Sequence, residues 1–217
     1  MNKKIIDIPI LKDSEIEKNS IKLLTDFYDN NFIEAPIPVF DIVEYLDYHL
    51  DFNAEGIFKD GNILGATSIA DKKVEINEKI SNQEGRMNFT IAHEIGHILL
   101  HGSLKNHVLC RKNEGIYGDK KDLIEVQADK FAAYLLMPTE LVKKAFYESY
   151  DNPVNVSKRK FMEMFFPKSK KYKAMIIASK ILENGDFNNV SKLAMINRLI
   201  GLNLIRGLSF QKNKILN

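Results

Sequence analysis

Apolar positions follow two different spacings along the chain, and each spacing predicts a different kind of element. Over residues 14–32 they recur at mostly helical intervals, and the Pro36-Ile37-Pro38 stretch ends that helix. A second short helix is predicted within residues 40–50. Residues 56–77 hold short β-type runs separated by turn signals such as Asp60-Gly61. These runs predict two or three antiparallel strands.

Helical spacing returns over residues 83–101, where the predicted helix has signals at both ends. Ser81 and Glu84 have the spacing of a capping box, and Gly102 stands where a C′ glycine is expected. Gly96 lies inside this helix and lowers its intrinsic stability by about 1 kcal/mol relative to alanine. We therefore expect another element to pack closely on the helix at Gly96.

The rest of the chain is predicted to be mainly helical. Residues 103–118 are predicted to be irregular, and a helix then runs from Asp119 or Asp122 to Met137. The fold class predicted is α+β, with a small mixed or antiparallel sheet packed on the 83–101 helix and its partner helix. We expect two domains, residues 1–140 and a basic helical region over residues 141–217.

Composition and charge narrow the class of protein. Hydrophobic residues make up 45% of the chain and charged residues 28%, which is typical of a folded globular protein. Residues 1–142 hold 16 basic against 24 acidic residues, whereas residues 143–217 hold 15 against 5. The basic segment predicts contact with nucleic acid or an acidic partner, or else a helical surface solvated by lysines.

Three further features concern the cellular compartment. Cys110 is the one cysteine, so an intrachain disulfide is impossible and a reducing environment fits. The N-terminal apolar run is interrupted at Asp7, Pro9 and Lys12, and it lacks the core of a signal peptide. No stretch approaches the ~20 apolar residues that a membrane span needs. We expect a cytoplasmic protein with no membrane partner.

The most informative string is His93-Glu94-Ile95-Gly96-His97, within the predicted 83–101 helix. Residues four apart on a helix lie on one face, so both imidazoles can reach one metal ion. Glu94 lies about 100° around the axis from His93, where it can hold the attacking water and accept its proton. This is the H-E-x-x-H arrangement of zinc-dependent peptidases. The alternative, a buried histidine pair with no metal, is uncommon.

A catalytic zinc usually has three protein ligands, so a third must be found. His101 is about 12 Å along the helix axis from His93, too far to share its coordination sphere. The metzincin continuation fails, and His107 has no supporting pattern. Glu125 is the better candidate, with Asp129 one turn later to accept the N–H of a ligand histidine. Alternatively, both acids face solvent on an amphipathic helix.

At these residues the sequence resembles the ImmA/IrrE-like metallopeptidases. The resemblance covers about residues 37–138 and rests on two blocks, RMNFTIAHEIGHILLH (86–101) and EVQADKFAAYLLMP (125–138). It implies that zinc is bound by His93, His97 and Glu125, and that Glu94 is the catalytic acid/base. It further implies a small mixed sheet beside the active-site helix, and a helix-turn-helix regulator as substrate.

The C-terminal region departs from the commonest layouts of this family. Residues 190–202 resemble the second helix of a helix-turn-helix, with Ser191 as its N-cap. That helix would present Lys192, Asn197 and Arg198 to a partner. The alternative is a helical pair packed on the rest of the protein, with its lysines solvated.

Two hypotheses about function follow. The favoured one is a cytoplasmic zinc endopeptidase that cuts a helix-turn-helix repressor and so derepresses a mobile element or a stress response. The other is a transcriptional regulator that binds DNA or a repressor, with a structural or vestigial metal site. Gel shifts with residues 143–217 across a salt series would test the second hypothesis.

The sequence also leads to expectations about single residues of the site. Asp129 is expected to orient a zinc-ligand histidine, and replacement of His101 by alanine is expected to leave the metal content intact. The oxyanion needs a donor besides the metal, and Tyr117, His107 and His101 stay open for that role.

Overall fold

The computed structural model describes residues 10–55, 60, 62–104, 108–112, 122–157 and 169–210. The chain divides into two compact units. The first comprises the residues up to 33, 38–83 and 87–135, and the second comprises 34–37, 84–86 and the residues from 136 onward. Both helices and a sheet are present, so the predicted α+β class is confirmed. Within the described ranges, no helix has the length and apolar character needed to cross a membrane.

A four-stranded sheet forms the centre of the first unit. Its strands are β1 (His49–Asn53), β2 (Ile63–Ser68), β3 (Lys73–Asn77) and β4 (Val108–Lys112), in the order β1-β3-β2-β4. β1 pairs parallel to β3, and β2 pairs antiparallel to both β3 and β4. The sheet is therefore mixed. The first five residues of β2 are all buried, as in a strand that is covered on both faces.

Four helices accompany this sheet: α1 (Asp13–Phe27), α2 (Val39–Tyr45), α3 (Glu84–Leu100) and α4 (Asp122–Leu136). α3 and α4 approach each other closely at Gly96. A Cβ added there would lie 3.2 Å from Cα of Ala128 and 3.2 Å from Cβ of Phe131. The close packing expected at Gly96 is thus confirmed, and the partner element is α4.

The second unit contains α5 (Thr139–Tyr147), α6 (Lys170–Asn184) and α7 (Lys192–Gly201), with the short parallel strands β5 (Val154–Asn155) and β6 (Ile205–Arg206). Asn184 ties α6 to the end of α5, because its amide donates to the Ala145 carbonyl at 2.9 Å and to the Ser149 hydroxyl at 2.7 Å. The Ser191 hydroxyl accepts from the backbone N–H of Ala194 at 3.1 Å. The predicted N-cap of α7 is therefore confirmed.

The link between α6 and α7 differs from that of a helix-turn-helix. Seven residues, 185–191, separate the two helices, whereas a helix-turn-helix has a turn of about three or four residues. Phe187 within this link is buried. Arg198 is also buried, and it donates to the Met137 carbonyl at 2.9 Å and to the Thr139 hydroxyl at 2.7 Å. The prediction that Arg198 faces a partner is therefore wrong.

Three local predictions are also wrong. β1 occupies the end of the second predicted helix, because α2 ends at Tyr45 and the chain turns at Asp47 with φ 60°. β4 lies within the segment predicted to be irregular. Ser81 follows a one-turn 3-10 helix, which the Asn77 side chain caps, and so the N-cap of α3 is Gln83. The strand predicted over residues 56–59 lies outside the described residues.

Candidate metal centre

Helix α3 places His93, Glu94 and His97 in the interior of the first unit, where all three side chains are buried. The two imidazoles are four residues apart, and their ring centroids lie 4.6 Å apart with the planes at 81°. This edge-to-face arrangement directs both Nε2 atoms toward the same carboxylate, that of Glu125. The geometry follows from the helical repeat, which the sequence spacing already predicted.

Helix α4 supplies Glu125. Its Oε2 lies 3.2 Å from Nε2 of His93, and its Oε1 lies 3.3 Å from Nε2 of His97. One potential ligand atom from each of these three residues lies within 4.8 Å of the other two. The structure thus brings together the three predicted ligands, and they could hold one metal ion. Their role as ligands stays a prediction.

The proton positions favour a cation among these atoms. Asp129 lies 2.8 Å from Nδ1 of His93, and a carboxylate accepts hydrogen bonds, so Nδ1 carries the hydrogen. In the neutral ring, which has a single N–H, Nε2 of His93 then has its lone pair toward the Glu125 carboxylate. Nε2 of His97 and Oε2 of Glu125 are buried and make no hydrogen bond. Acceptors facing one another in a buried site are unfavourable unless a cation lies between them.

Burial also prepares these groups for a metal. It lowers the pKa of His97 from 6.5 to about 4, although contact with Glu125 acts in the opposite direction. Burial by itself would raise the pKa of Glu125, but the two imidazoles together outweigh it and lower that pKa to about 2. Neutral imidazole and ionised carboxylate are the forms that bind a metal. Both groups are in those forms at neutral pH.

Glu94 is contacted by residues of strand β2. The Thr67 hydroxyl donates to its Oε2 at 2.7 Å, and both residues are buried. A Cβ at Gly65 would lie 2.6 Å from Oε1 of Glu94 and 2.7 Å from Cγ2 of Thr90. The glycine therefore lets the carboxylate lie directly on the strand. Sequence reasoning missed both β2 residues, although a glycine inside a strand often marks such a close approach.

His101 lies outside the potential ligand set, as its spacing from His93 predicted. It is nevertheless in contact with the site, because its Nδ1 is 3.1 Å from Nδ1 of His97 and its Nε2 is 3.1 Å from Oε1 of Gln127. Both ring nitrogens of His101 are engaged in these contacts. It is therefore not available as an oxyanion donor. His107 and Tyr117 lie outside the described residues.

The lowered pKa of His97 leads to a prediction about stability in acid. The pKa of His97 is 6.5 when the side chain is exposed and about 4 in the folded protein. Between pH 6.5 and pH 4, the unfolded chain therefore binds more protons at His97 than the folded protein does. The metal-free protein should lose about 3 kcal/mol of unfolding free energy as the pH falls through this window. Urea unfolding at several pH values measures the loss.

The matched variant for this measurement is His97→Gln, which has no titratable group at position 97. Its unfolding free energy should depend less on pH between 6.5 and 4 than that of the unmodified protein. If the unfolding free energies of the two proteins changed equally with pH, the assignment of this pH dependence to His97 would be contradicted.

Residues 61–161 match the peptidase family described as the IrrE N-terminal-like domain. The matched segment contains all the candidate site residues named above, on β2, α3 and α4. A comparison with curated proteins gives no match.

Proposed function

We propose that this chain is a zinc-dependent endopeptidase, because residues 61–161 match the peptidase family described as the IrrE N-terminal-like domain. The two blocks that carry the resemblance to ImmA/IrrE-like metallopeptidases, residues 86–101 and 125–138, lie within that segment. The observation that carries the proposal is the buried set of His93, His97 and Glu125 with Glu94 beside it. A purely structural zinc has no need of a buried carboxylate next to its ligands.

The donor set suits zinc. Two imidazoles and a carboxylate are the ligands of several catalytic zinc sites, which leave a further position open for water or substrate. When bound, zinc supplies a Lewis acid that polarises the scissile carbonyl and lowers the pKa of nearby water. In this chain His93, His97 and Glu125 would hold it.

Glu94 performs the proton transfers in the proposed mechanism. Its carboxylate accepts a proton as water attacks the scissile carbonyl, and it then donates that proton to the nitrogen of the leaving amine. The hydrogen bond from Thr67 to Oε2 restricts rotation of the carboxylate. With Gly65 beneath Oε1, the group is held in one orientation against β2 before the substrate binds.

The proposed substrate is a regulatory protein, and in particular a helix-turn-helix repressor whose cleavage derepresses a mobile element or a stress response. Support comes from the family resemblance alone. A cytoplasmic location is part of the proposal, and it rests on the single cysteine.

The proposal is tested by incubating the purified chain with a helix-turn-helix repressor from the same genome, chosen first from the neighbouring genes. We expect zinc-loaded protein to cut the repressor at a defined bond, chelator to stop the reaction, and added zinc to restore it. A folded protein without a helix-turn-helix serves as the control substrate. Cleavage of denatured casein but not of the repressor would overturn the proposed substrate, and cleavage of neither would overturn the peptidase proposal.

The alternative, a DNA-binding regulator, has weaker support. It rests on the basic charge of residues 143–217, but Arg198 is buried and seven residues separate α6 from α7. Lys192, at the start of α7, is exposed. Binding of nucleic acid by this region stays a prediction from charge.

A further inference from the structure

A row of buried polar side chains lies behind His97, on the side of its ring away from Glu125. Nδ1 of His97 is 3.1 Å from Nδ1 of His101, and Nε2 of His101 is 3.1 Å from Oε1 of Gln127. All three residues are at most 2% exposed. Buried polar groups of this kind are normally ordered by their hydrogen bonds, so their proton positions can be deduced.

The backbone explains why these three residues meet. His101 is four residues after His97 and is the C-cap of α3, where its N–H donates to the His97 carbonyl at 3.0 Å. Gln127 comes from α4, which packs on α3 at Gly96. Helix α4 therefore supports His97 on both sides of its ring. Glu125 lies directly at Nε2, whereas Gln127 acts indirectly, through His101 at Nδ1.

The amide oxygen of Gln127 determines where the protons lie. An amide oxygen only accepts, so Nε2 of His101 carries the hydrogen. A neutral imidazole has one N–H, so Nδ1 of His101 must accept, and Nδ1 of His97 must donate to it. Nε2 of His97 is then left with its lone pair toward Glu125, which is the form that a metal requires.

We propose that His101 and Gln127 are positioning residues that fix the tautomer and the ring orientation of His97 for metal binding. The inference rests on the proposal that this site holds zinc. His93 is oriented differently, by the carboxylate of Asp129 at 2.8 Å. The two imidazoles are thus oriented by different partners. A negatively charged carboxylate orients His93, and a chain of neutral hydrogen-bonding groups orients His97.

This inference replaces the expectation that His101→Ala keeps its full metal content. Loss of an outer partner of a ligand histidine typically weakens metal binding by about 10–100-fold. We expect a loss of that size in His101→Ala and in Gln127→Leu, which keeps most of the side-chain volume but removes the acceptor. Gln127→Glu keeps an acceptor at this position and should retain at least the affinity of the unmodified chain.

The test uses the full chain and two measurements. Competition with a chromophoric chelator gives the zinc affinity, and long-range ¹H–¹⁵N correlation spectra of the metal-free protein give the tautomer of each histidine ring. We expect the His97 proton on Nδ1 in the unmodified protein and in Gln127→Glu. In Gln127→Leu we expect a mixture of the two neutral tautomers, with the proton on Nδ1 in some molecules and on Nε2 in others. A merely structural role would change unfolding free energy without changing the tautomer. Val126→Ala, at an exposed neighbouring position on α4, is the matched control.

The outcomes separate this inference from the proposed function. A His97 proton on Nε2 in the unmodified protein would overturn the inference, and so would unchanged tautomer and affinity in both His101→Ala and Gln127→Leu. If the unmodified protein carries the proton on Nδ1 but binds no zinc, the deduced hydrogen-bond chain is supported and the zinc proposal fails.

Discussion

Replacing Glu94 with glutamine is expected to slow peptide-bond hydrolysis by about 10²–10⁴-fold, the usual contribution of general acid–base catalysis. Glutamine has nearly the same shape, and its amide oxygen can still accept from the Thr67 hydroxyl. It cannot take up a proton from water at neutral pH. The metal ligands His93, His97 and Glu125 are unchanged, so zinc content should be unchanged as well.

Initial rates on the repressor, together with metal analysis and urea unfolding, check this prediction. Glu140→Gln removes a carboxylate that is 85% exposed on α5, and it provides a matched control that should keep full activity. Undiminished cleavage by the Glu94→Gln protein would refute the proposed mechanism. A loss of activity accompanied by a loss of zinc would also do so, because Glu94 would then act as a ligand.

Replacing Glu125 with glutamine should cause a larger loss of zinc affinity than replacing Asp129, His101 or Gln127, which do not belong to the proposed ligand set. The carboxylate is charged and faces Nε2 of both histidines, at 3.2 and 3.3 Å. A neutral amide removes that charge from a buried site and leaves two imidazoles as strong ligands. The drop in affinity should therefore exceed the ~10–100-fold that loss of an outer partner causes.

Asp129→Ala supplies the graded comparison. Asp129 contacts Nδ1 of His93 rather than the ligand atoms, so we expect its loss to weaken zinc binding by about 10–100-fold without unfolding the chain. Chelator competition on both variants gives the order. Full zinc binding by Glu125→Gln would show that Glu125 is not a ligand. A larger loss of zinc affinity in Asp129→Ala than in Glu125→Gln would indicate that Asp129 is the ligand and that Glu125 orients a histidine.

Much of the site could be predicted because its geometry is local. His93 and His97 lie on one helix at a four-residue spacing, and the helical repeat places their rings together whatever surrounds them. Glu125 and Asp129 have the same spacing on the next helix. Each pair could therefore be found from spacing and residue type. Pairing the two helices needed more than periodicity: the need for a third ligand favoured Glu125, and the family resemblance implied the same residue.

The sheet was harder to predict, because the pairing of strands depends on distant parts of the chain. β1 joins β3 in parallel across residues 54–72, and β4 adds to β2 from beyond α3. Short segments with weak alternation do not carry that information. The start of α3 illustrates a competing local signal. Ser81 has the capping-box spacing from Glu84, but Asn77 initiates a 3-10 helix, and Ser81 is the C-cap of that 3-10 helix instead of the N-cap of α3.

The sequence by itself determined the α+β class, the helix that carries His93, Glu94 and His97, and the likeness to a peptidase family. Only the tertiary structure decided which side chains support those residues. Thr67 meets Glu94 across 27 positions, and Gln127 meets His101 across 26. Threonine and glutamine are common residue types with no characteristic spacing, so their roles arise from the packing of β2 and α4 on α3. Long-range contacts of this kind are a property of the packed fold and leave no periodic trace in the chain.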